Sequence, residues 1–202
     1  MRSTIFGLAL ALAAATAFAA PPAKRPADDA FSMGNPKARI VLEEYASLSC
    51  THCAHFNNEV FPAFKKKYID TGRVRFTLRE FLTPPENVAG VGFITARCAG
   101  PKRYFSVVDD FFHRQATIYE THDLAKPLLA LGQKFGLTEA AINKCLEDPA
   151  AGAALNARVQ AGIDRGVNST PSFYINGVKA PDDTQTLAQL DQLILAATKA
   201  GK

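Results

Sequence analysis

Four cysteines in 202 residues are too few for a disulfide scaffold. A chain of this length can bury a proper core and needs no such substitute. Charge of one sign is also scarce. With 23 basic against 19 acidic residues, the net charge is only +4. The basic residues are scattered, apart from Lys65, Lys66 and Lys67. That is too little for a nucleic-acid footprint, and the lysine run is expected to be a solvated helix face. Internal repeats are absent, and so is low-complexity sequence beyond the N-terminal region. At 48% hydrophobic and 21% charged, the composition lacks the bias of disordered, collagen-like or coiled-coil chains. Beyond the N-terminus no segment is apolar enough for long enough to span a bilayer. What remains is one domain, or one domain carrying a large insertion.

The N-terminus sets the compartment. Met1 and Arg2 make a short basic start, and residues 5–18 are apolar or small. Ala17-Phe18-Ala19 has the small-x-small pattern of a cleavage site, and Pro21 and Pro22 would end any helix. Residues 1–19 are therefore expected to be a signal peptide, cut after Ala19 or Ala20; the alternative is an uncleaved anchor. Its removal takes away only Arg2 and leaves a charge of +3. Residues 20–35, rich in Pro, Ala and charge, are expected to be a flexible leader. An exported chain meets an oxidising compartment, where disulfides persist.

Residues 39–45 form an apolar, β-branched run expected to be a buried strand. Cys50-Thr51-His52-Cys53 then opens a helix with the stripe Cys53, Phe56, Val60 and Phe64; Pro62 predicts a kink or break in it. Residues 73–81 are a second strand, with Val74, Phe76 and Leu78 alternating against Arg73, Arg75, Thr77 and Arg79. Pro84-Pro85 closes this unit, and residues 86–166 are helical throughout. Strand chemistry returns at residues 172–175, followed by the Asn176-Gly177 hairpin signal. A last helix begins at a Thr186/Gln189 capping box, with Leu187, Leu190 and Ile194 on its apolar face.

The chemistry centres on Cys50 and Cys53. The thiolate is the form that attacks a disulfide, and a helix N-terminus offers it unpaired N–H groups and a positive dipole end. Three residues on, Cys53 can reach back and resolve a mixed disulfide. His52 can add positive charge beside the sulfur. A half zinc site and a structural Cys50–Cys53 bridge are the competing readings. A c-type haem fails because position 54 is Ala. Pro171, in Val167-Asn168-Ser169-Thr170-Pro171-Ser172-Phe173, stands at the mouth of a strand. If cis, its peptide bond would expose the backbone of Thr170 to an extended peptide; a trans turn proline is the ordinary alternative.

These residues resemble the DsbA-like thiol–disulfide oxidoreductases of the bacterial periplasm. The likeness covers about residues 33–198 and rests on Glu44-Tyr45-Ala46-Ser47-Leu48-Ser49-Cys50-Thr51-His52-Cys53, on Gly166-Val167-Asn168-Ser169-Thr170-Pro171, and on the helical block between. It implies an α/β thioredoxin fold with an inserted helical domain between the second strand and the cis-proline strand. The thioredoxin halves would be residues 36–85 and 167–202, and the insertion residues 86–166. It implies that Cys50 is the exposed nucleophile, Cys53 the buried resolving thiol, and Pro171 cis with Thr170 beside the sulfurs. It also implies that Glu44 lies beneath the pair and helps move protons. Strand alternation puts Glu43 on the opposite face. Thr51 departs from the proline many relatives carry, which bears on redox potential rather than on reaction type.

His55, His113 and His122 have no evident constellation. Cys98 and Cys145 are either a second disulfide, as in some relatives, or two buried free thiols. The expected function is a periplasmic oxidase that donates a Cys50–Cys53 disulfide to reduced, unfolded exported proteins. A DsbB-like, quinone-linked membrane partner would re-oxidise it. The alternatives are a reductase or isomerase, or a metal-holding or chaperone module. No cofactor, metal or nucleic acid is expected. The short leader, where isomerases of the wider group carry a dimerisation domain, points to a monomer.

Overall fold

The computed structural model describes residues 29–200 and contains one mixed sheet. Its strands are β1 (Ser32–Met33), β2 (Ile40–Ala46), β3 (Val74–Glu80), β4 (Ser172–Ile175) and β5 (Val178–Lys179), in the order β1-β3-β2-β4-β5. Strands β2 and β3 run parallel; every other pairing is antiparallel. The helix that crosses from β2 to β3 is the connection a parallel pair requires. The signal-peptide expectation for residues 1–19 lies outside the described residues.

Central strand β2 has a layer on each face, so its near-continuous apolar run needs no solvent-facing side. Leu42 and Ala46 join the main core with Phe76, Phe173 and Ile175. Tyr45 packs on the opposite face with Phe81, Val167 and Tyr174. That second face also carries charge. Arg79 donates to Glu43 Oε1 through Nε at 3.0 Å and Nη2 at 2.8 Å, and Arg165 donates to Glu43 Oε2 at 2.9 Å. Burial alone would raise Glu43, but the hydrogen bonds and charges of Arg165 and Arg79 outweigh it and hold the carboxyl below its ordinary range.

The helical segment after β2 runs from Thr51 to Ile69; of the kink or break expected at Pro62, a break does not occur. It alternates α1 (Thr51–His55), a π-helical turn (Phe56–Val60), α2 (Phe61–Phe64) and a second π-helical turn (Lys65–Ile69). Pro62 has no N–H to donate, and the ladder widens just before it, with Phe61 N–H donating to Phe56 O.

Five helices fill the space between β3 and β4: α3 (Glu86–Cys98), α4 (Tyr104–Thr121), α5 (Ala125–Lys134), α6 (Glu139–Leu146) and α7 (Pro149–Asp164). Thr138 and Asp148 cap α6 and α7, each side chain accepting from a backbone N–H of the first turn. Helix α3 lies close against the chain that follows β2. A Cβ on Gly92 would meet Leu48 Cδ1 at 2.6 Å and Phe111 Cε2 at 2.9 Å. The final helix, α8 (Leu187–Ala200), begins at a closed capping box: Gln189 N–H donates to Thr186 Oγ1 at 3.2 Å, and Thr186 N–H donates to Gln189 Oε1 at 3.0 Å. Asn176 and Gly177 both have positive φ, as a tight hairpin demands.

The expectation of a flexible leader through residue 35 is corrected for its last part. Met33 and Ser32 pair with Phe76 and Thr77 of β3, and the Phe31 ring stands 4.3 Å from that of Tyr104. Asp29 accepts from Arg158 at 2.9 Å, and Arg158 in turn reaches buried Glu80 at 2.6 Å. Arg97 and Tyr104 also donate to Glu80. Composition suggested a linker, but an open strand edge and a buried carboxylate supply partners that local sequence does not display.

Candidate active site

Strand β2 delivers the chain into a short loop, and Cys50 emerges from it as the N-cap of α1, in extended conformation with φ −83° and ψ 121°. From there its sulfur accepts the Cys53 N–H at 3.4 Å. Cys50 is half-buried, Cys53 is buried, and both are free thiols. On the other side of the sulfur stands the strand that opens with Pro171. The Thr170–Pro171 bond is cis, and the Cys50 thiol donates to Thr170 O at 3.2 Å. Residues 120 positions apart thus meet at one sulfur. Thr170 Oγ1 is buried and makes no hydrogen bond in this dithiol form, so its hydroxyl is at hand for a thiolate.

The two sulfurs differ sharply in acidity. The Cys53 thiol, the Thr170 side chain and the N–H groups of Cys53 and His52 stabilise a thiolate on Cys50. Together they outweigh the cost of burial and bring its thiol down to about 5. Cys53 moves the other way: burial, then its hydrogen bond to Cys50 and the charge there, push its thiol well above the ordinary range.

Glu44 lies on the main-core face of β2, between Leu78 of β3 and Phe173 of β4. A cavity of about 30 Å³ adjoins it, lined mainly by Phe61, Phe76, Leu78, Phe105 and Phe112. Burial in these surroundings, then the negative charge of Cys50, push the Glu44 carboxyl up to about 8. Glu43, one residue earlier, is turned to the other face and has no part in the site.

The structure therefore gathers Cys50, Cys53, Glu44, Thr170 and Pro171. Thr51 and His52 are exposed. The backbone N–H of His52 is among the groups that favour a thiolate on Cys50. Cys98 and Cys145 form a disulfide that ties the end of α3 to α6 within the helical block. Among the described residues no cluster of three His, Cys, Asp or Glu side chains could hold a metal ion, and no helix is long and apolar enough to cross a membrane.

Sequence reasoning missed two residues of α4. Gln115 Nε2 donates to Leu48 O at 2.8 Å and to Cys50 O at 3.1 Å. Tyr119 donates its hydroxyl to Ser49 O between them. A signal was present: Gln115 occupies a helical position three and four residues beyond Phe112 and Phe111, on the stripe otherwise reserved for the core. Ser47, Ser49 and Thr83 brace the same loop from its other side. Ser49 Oγ donates to Thr83 O at 2.6 Å, and Thr83 N–H donates to Ser47 Oγ at 3.1 Å.

Comparison with known proteins agrees with this geometry. Residues 27–196 match the family model described as Thioredoxin. A chain of Rickettsia bellii (strain RML369-C), named "Putative protein-disulfide oxidoreductase", is 33% identical over 150 residues, covering 73% of this chain and 57% of that one. This chain thus spans little more than half the length of the curated relatives it matches. Among solved structures, Wolbachia pipientis alpha-DsbA1 superposes with a TM-score of 0.77 at 28% identity, over 87% of this chain and 94% of that one. A protein-disulfide isomerase from Novosphingobium aromaticivorans superposes with a TM-score of 0.70 at 25% identity, over 83% and 96%.

Proposed function

The chain belongs to the thioredoxin family, among its DsbA-like members, and from that premise we propose that it is a protein disulfide oxidoreductase working as a dithiol oxidase. The observation that carries the reading is the unequal placement of the two thiols, Cys50 at a helix N-cap accepting the Cys53 N–H and Cys53 buried behind it, which displaces their acidities in opposite directions. A stabilised Cys50 thiolate stabilises the reduced protein. The Cys50–Cys53 disulfide is then correspondingly eager to accept electrons.

In the oxidised protein, a substrate thiolate attacks Cys50 Sγ, the less buried of the two sulfurs. The Cys50–Cys53 bond breaks, its electron pair goes to Cys53, and a substrate–Cys50 disulfide forms. Cys53 is buried and holds a proton tightly, so it must be protonated as it leaves. Glu44, protonated at neutral pH and coupled to the pair, is suited to relay that proton. A second substrate thiolate then attacks the substrate sulfur of the mixed disulfide. Cys50 departs as a thiolate, and its low pKa makes it a good leaving group. The substrate loses two electrons and gains a disulfide; the protein gains the electrons and becomes a dithiol. Thr170 O, beside the reacting sulfur, would anchor an extended substrate backbone.

The substrates in this reading are reduced, unfolded proteins exported to the periplasm, and a DsbB-like, quinone-linked membrane partner restores the disulfide. Incubation with glutathione buffers and a dithiol peptide tests the activity. A strongly oxidising equilibrium with rapid peptide oxidation supports an oxidase; a poise near that of glutathione itself would sink it. The second reading, isomerase or reductase, draws support from the Novosphingobium relative's name. Acid-trapping cells and measuring the redox state of Cys50 and Cys53 separates the two: mostly disulfide for an oxidase, mostly dithiol for the alternative. A metal-holding or chaperone module would need neither Thr170–Pro171 nor the unequal thiols.

A further inference from the structure

We propose that Gln115 and Tyr119 of α4 are positioning residues for the redox centre: by binding the carbonyls of Leu48, Ser49 and Cys50 they hold the Cys50 thiolate in its stabilised geometry. The inference rests on the disulfide chemistry proposed above and adds residues from outside the sheet-forming halves of the chain.

The three carbonyls are consecutive, and each is the negative end of a peptide dipole. Gln115 binds the first and third, and Tyr119 the second. Their peptide planes are thereby set, with the oxygens drawn toward α4. The Cys50 N–H is turned back to Ser47 O at 3.0 Å, and Cys50 O also receives the Ala54 N–H at 3.1 Å. Cys50 can then keep its extended N-cap conformation, with its sulfur above the first-turn N–H groups. Without the α4 donors, a carbonyl would be free to rotate toward the sulfur, where its partial negative charge opposes a thiolate. Alternatively it would remain buried and unpaired, at the cost of a lost partner.

Gln115 is only 2% exposed and sits amid the apolar stripe of α4. A polar side chain there carries a desolvation cost that its two hydrogen bonds offset. Tyr119 is half-buried. Burial, then the Cys50 charge, raise its phenol above the ordinary value, so it keeps the proton it donates. The bias of the redox pair is thus shared with the helical block that packs over it.

Two variants test this, Gln115→Met and Tyr119→Phe. Each keeps close to the original volume and deletes a donor. The readouts are the thiolate absorbance of Cys50 against pH and the equilibrium constant with glutathione, with thermal melts run alongside. In Gln115→Met the thiolate midpoint is expected to rise, and the equilibrium to move toward the disulfide by about three- to tenfold, the range of one hydrogen bond. Tyr119→Phe should move both in the same direction. Unchanged midpoints and equilibria in both variants, with only a lowered melting temperature, would make these residues structural and overturn the proposal. Should Gln115→Met fail to fold, Tyr119→Phe decides alone, because it removes a single hydroxyl. A wild-type protein that does not exchange with glutathione at all would instead defeat the parent reading.

Discussion

At the scale of single residues, the site works by asymmetry. Cys50 and Cys53 are three positions apart, yet one sulfur accepts N–H groups at a helix start while the other is sealed in the core. Cys50→Ser should reduce dithiol-peptide oxidation to background, since no sulfur remains for the substrate to attack. Cys53→Ala should instead accumulate mixed disulfides with substrate, visible on non-reducing gels. Glu44 leads to a prediction in pH. Its carboxyl is raised to about 8 from an ordinary 4.5. Between those values the native state binds the proton that the unfolded chain has released. Stability conferred by the protonated carboxyl is complete below about pH 4.5 and declines as pH rises toward 8, by at most about 1.4 kcal/mol per unit for one proton. Glu44→Gln should flatten that decline in urea titrations of the reduced protein. An unaltered slope would show that the carboxyl is not the group responsible. Cys50 has the opposite sign. Its thiol is lowered to about 5 from 9. Its contribution to the reduced state is therefore present at and above pH 9 and is lost as pH falls through 5.

At the scale of elements, the active-site helix does not stand by itself. Its N-terminal loop is gripped by α4 through Gln115 and Tyr119, by Thr83 through Ser47 and Ser49, and by α3 through packing at Gly92. The α3 contact can be tested alone. Gly92→Ala places a Cβ within 2.6 Å of Leu48 Cδ1 and 2.9 Å of Phe111 Cε2. Leu48 and Phe111 are themselves almost completely buried, leaving little room to yield. The ordinary gain of replacing a helical glycine by alanine, about 1 kcal/mol, should be reversed by overpacking of about 1–3 kcal/mol. Equilibrium urea unfolding reads the net sign. A stabilised variant would mean that Leu48 shifts freely, and that the loop is less constrained than its contacts indicate.

At the scale of the whole molecule, long-range links join the helical block to itself and to the sheet. The Cys98–Cys145 disulfide closes a sequence separation of 47. In the chain-entropy model such a loop is worth about 4 kcal/mol, since it restricts the unfolded chain. Replacing both cysteines by alanine should lower the unfolding free energy by roughly that amount while leaving Cys50 and Cys53 able to exchange. A change of less than 1 kcal/mol would place the stabilisation in packing between α3 and α6 instead. The second link is ionic. Glu80, at the end of β3, receives Arg97 from α3, Arg158 from α7 and the hydroxyl of Tyr104 from α4, and Asp29 joins through Arg158. One buried carboxylate thereby ties the sheet to three helices and to the segment leading into β1.

Much of this was legible in the sequence because it depends on short-range chemistry. Apolar runs and alternation announced β2 and β3, Asn176-Gly177 announced the hairpin, and Thr186 with Gln189 announced the start of α8. Each is decided within a few residues by backbone preference and periodicity. The same locality placed Cys50 at a helix N-terminus, which already implies an acidic thiol. Tertiary structure decided what depends on partners remote along the chain. Alternation separated Glu43 from Glu44, but which face covers sulfur and which covers arginine depends on the layers packed against each side. Residues 29–33 look like linker until an open strand edge and Arg158 receive them. The backbone N–H groups of Cys53 and His52 favour the Cys50 thiolate because the unpaired N–H groups of a first helical turn converge on the N-cap. Gln115 and Tyr119 are ordinary α4 residues until the fold brings them, across 65 to 70 positions, onto the carbonyls beside the nucleophile.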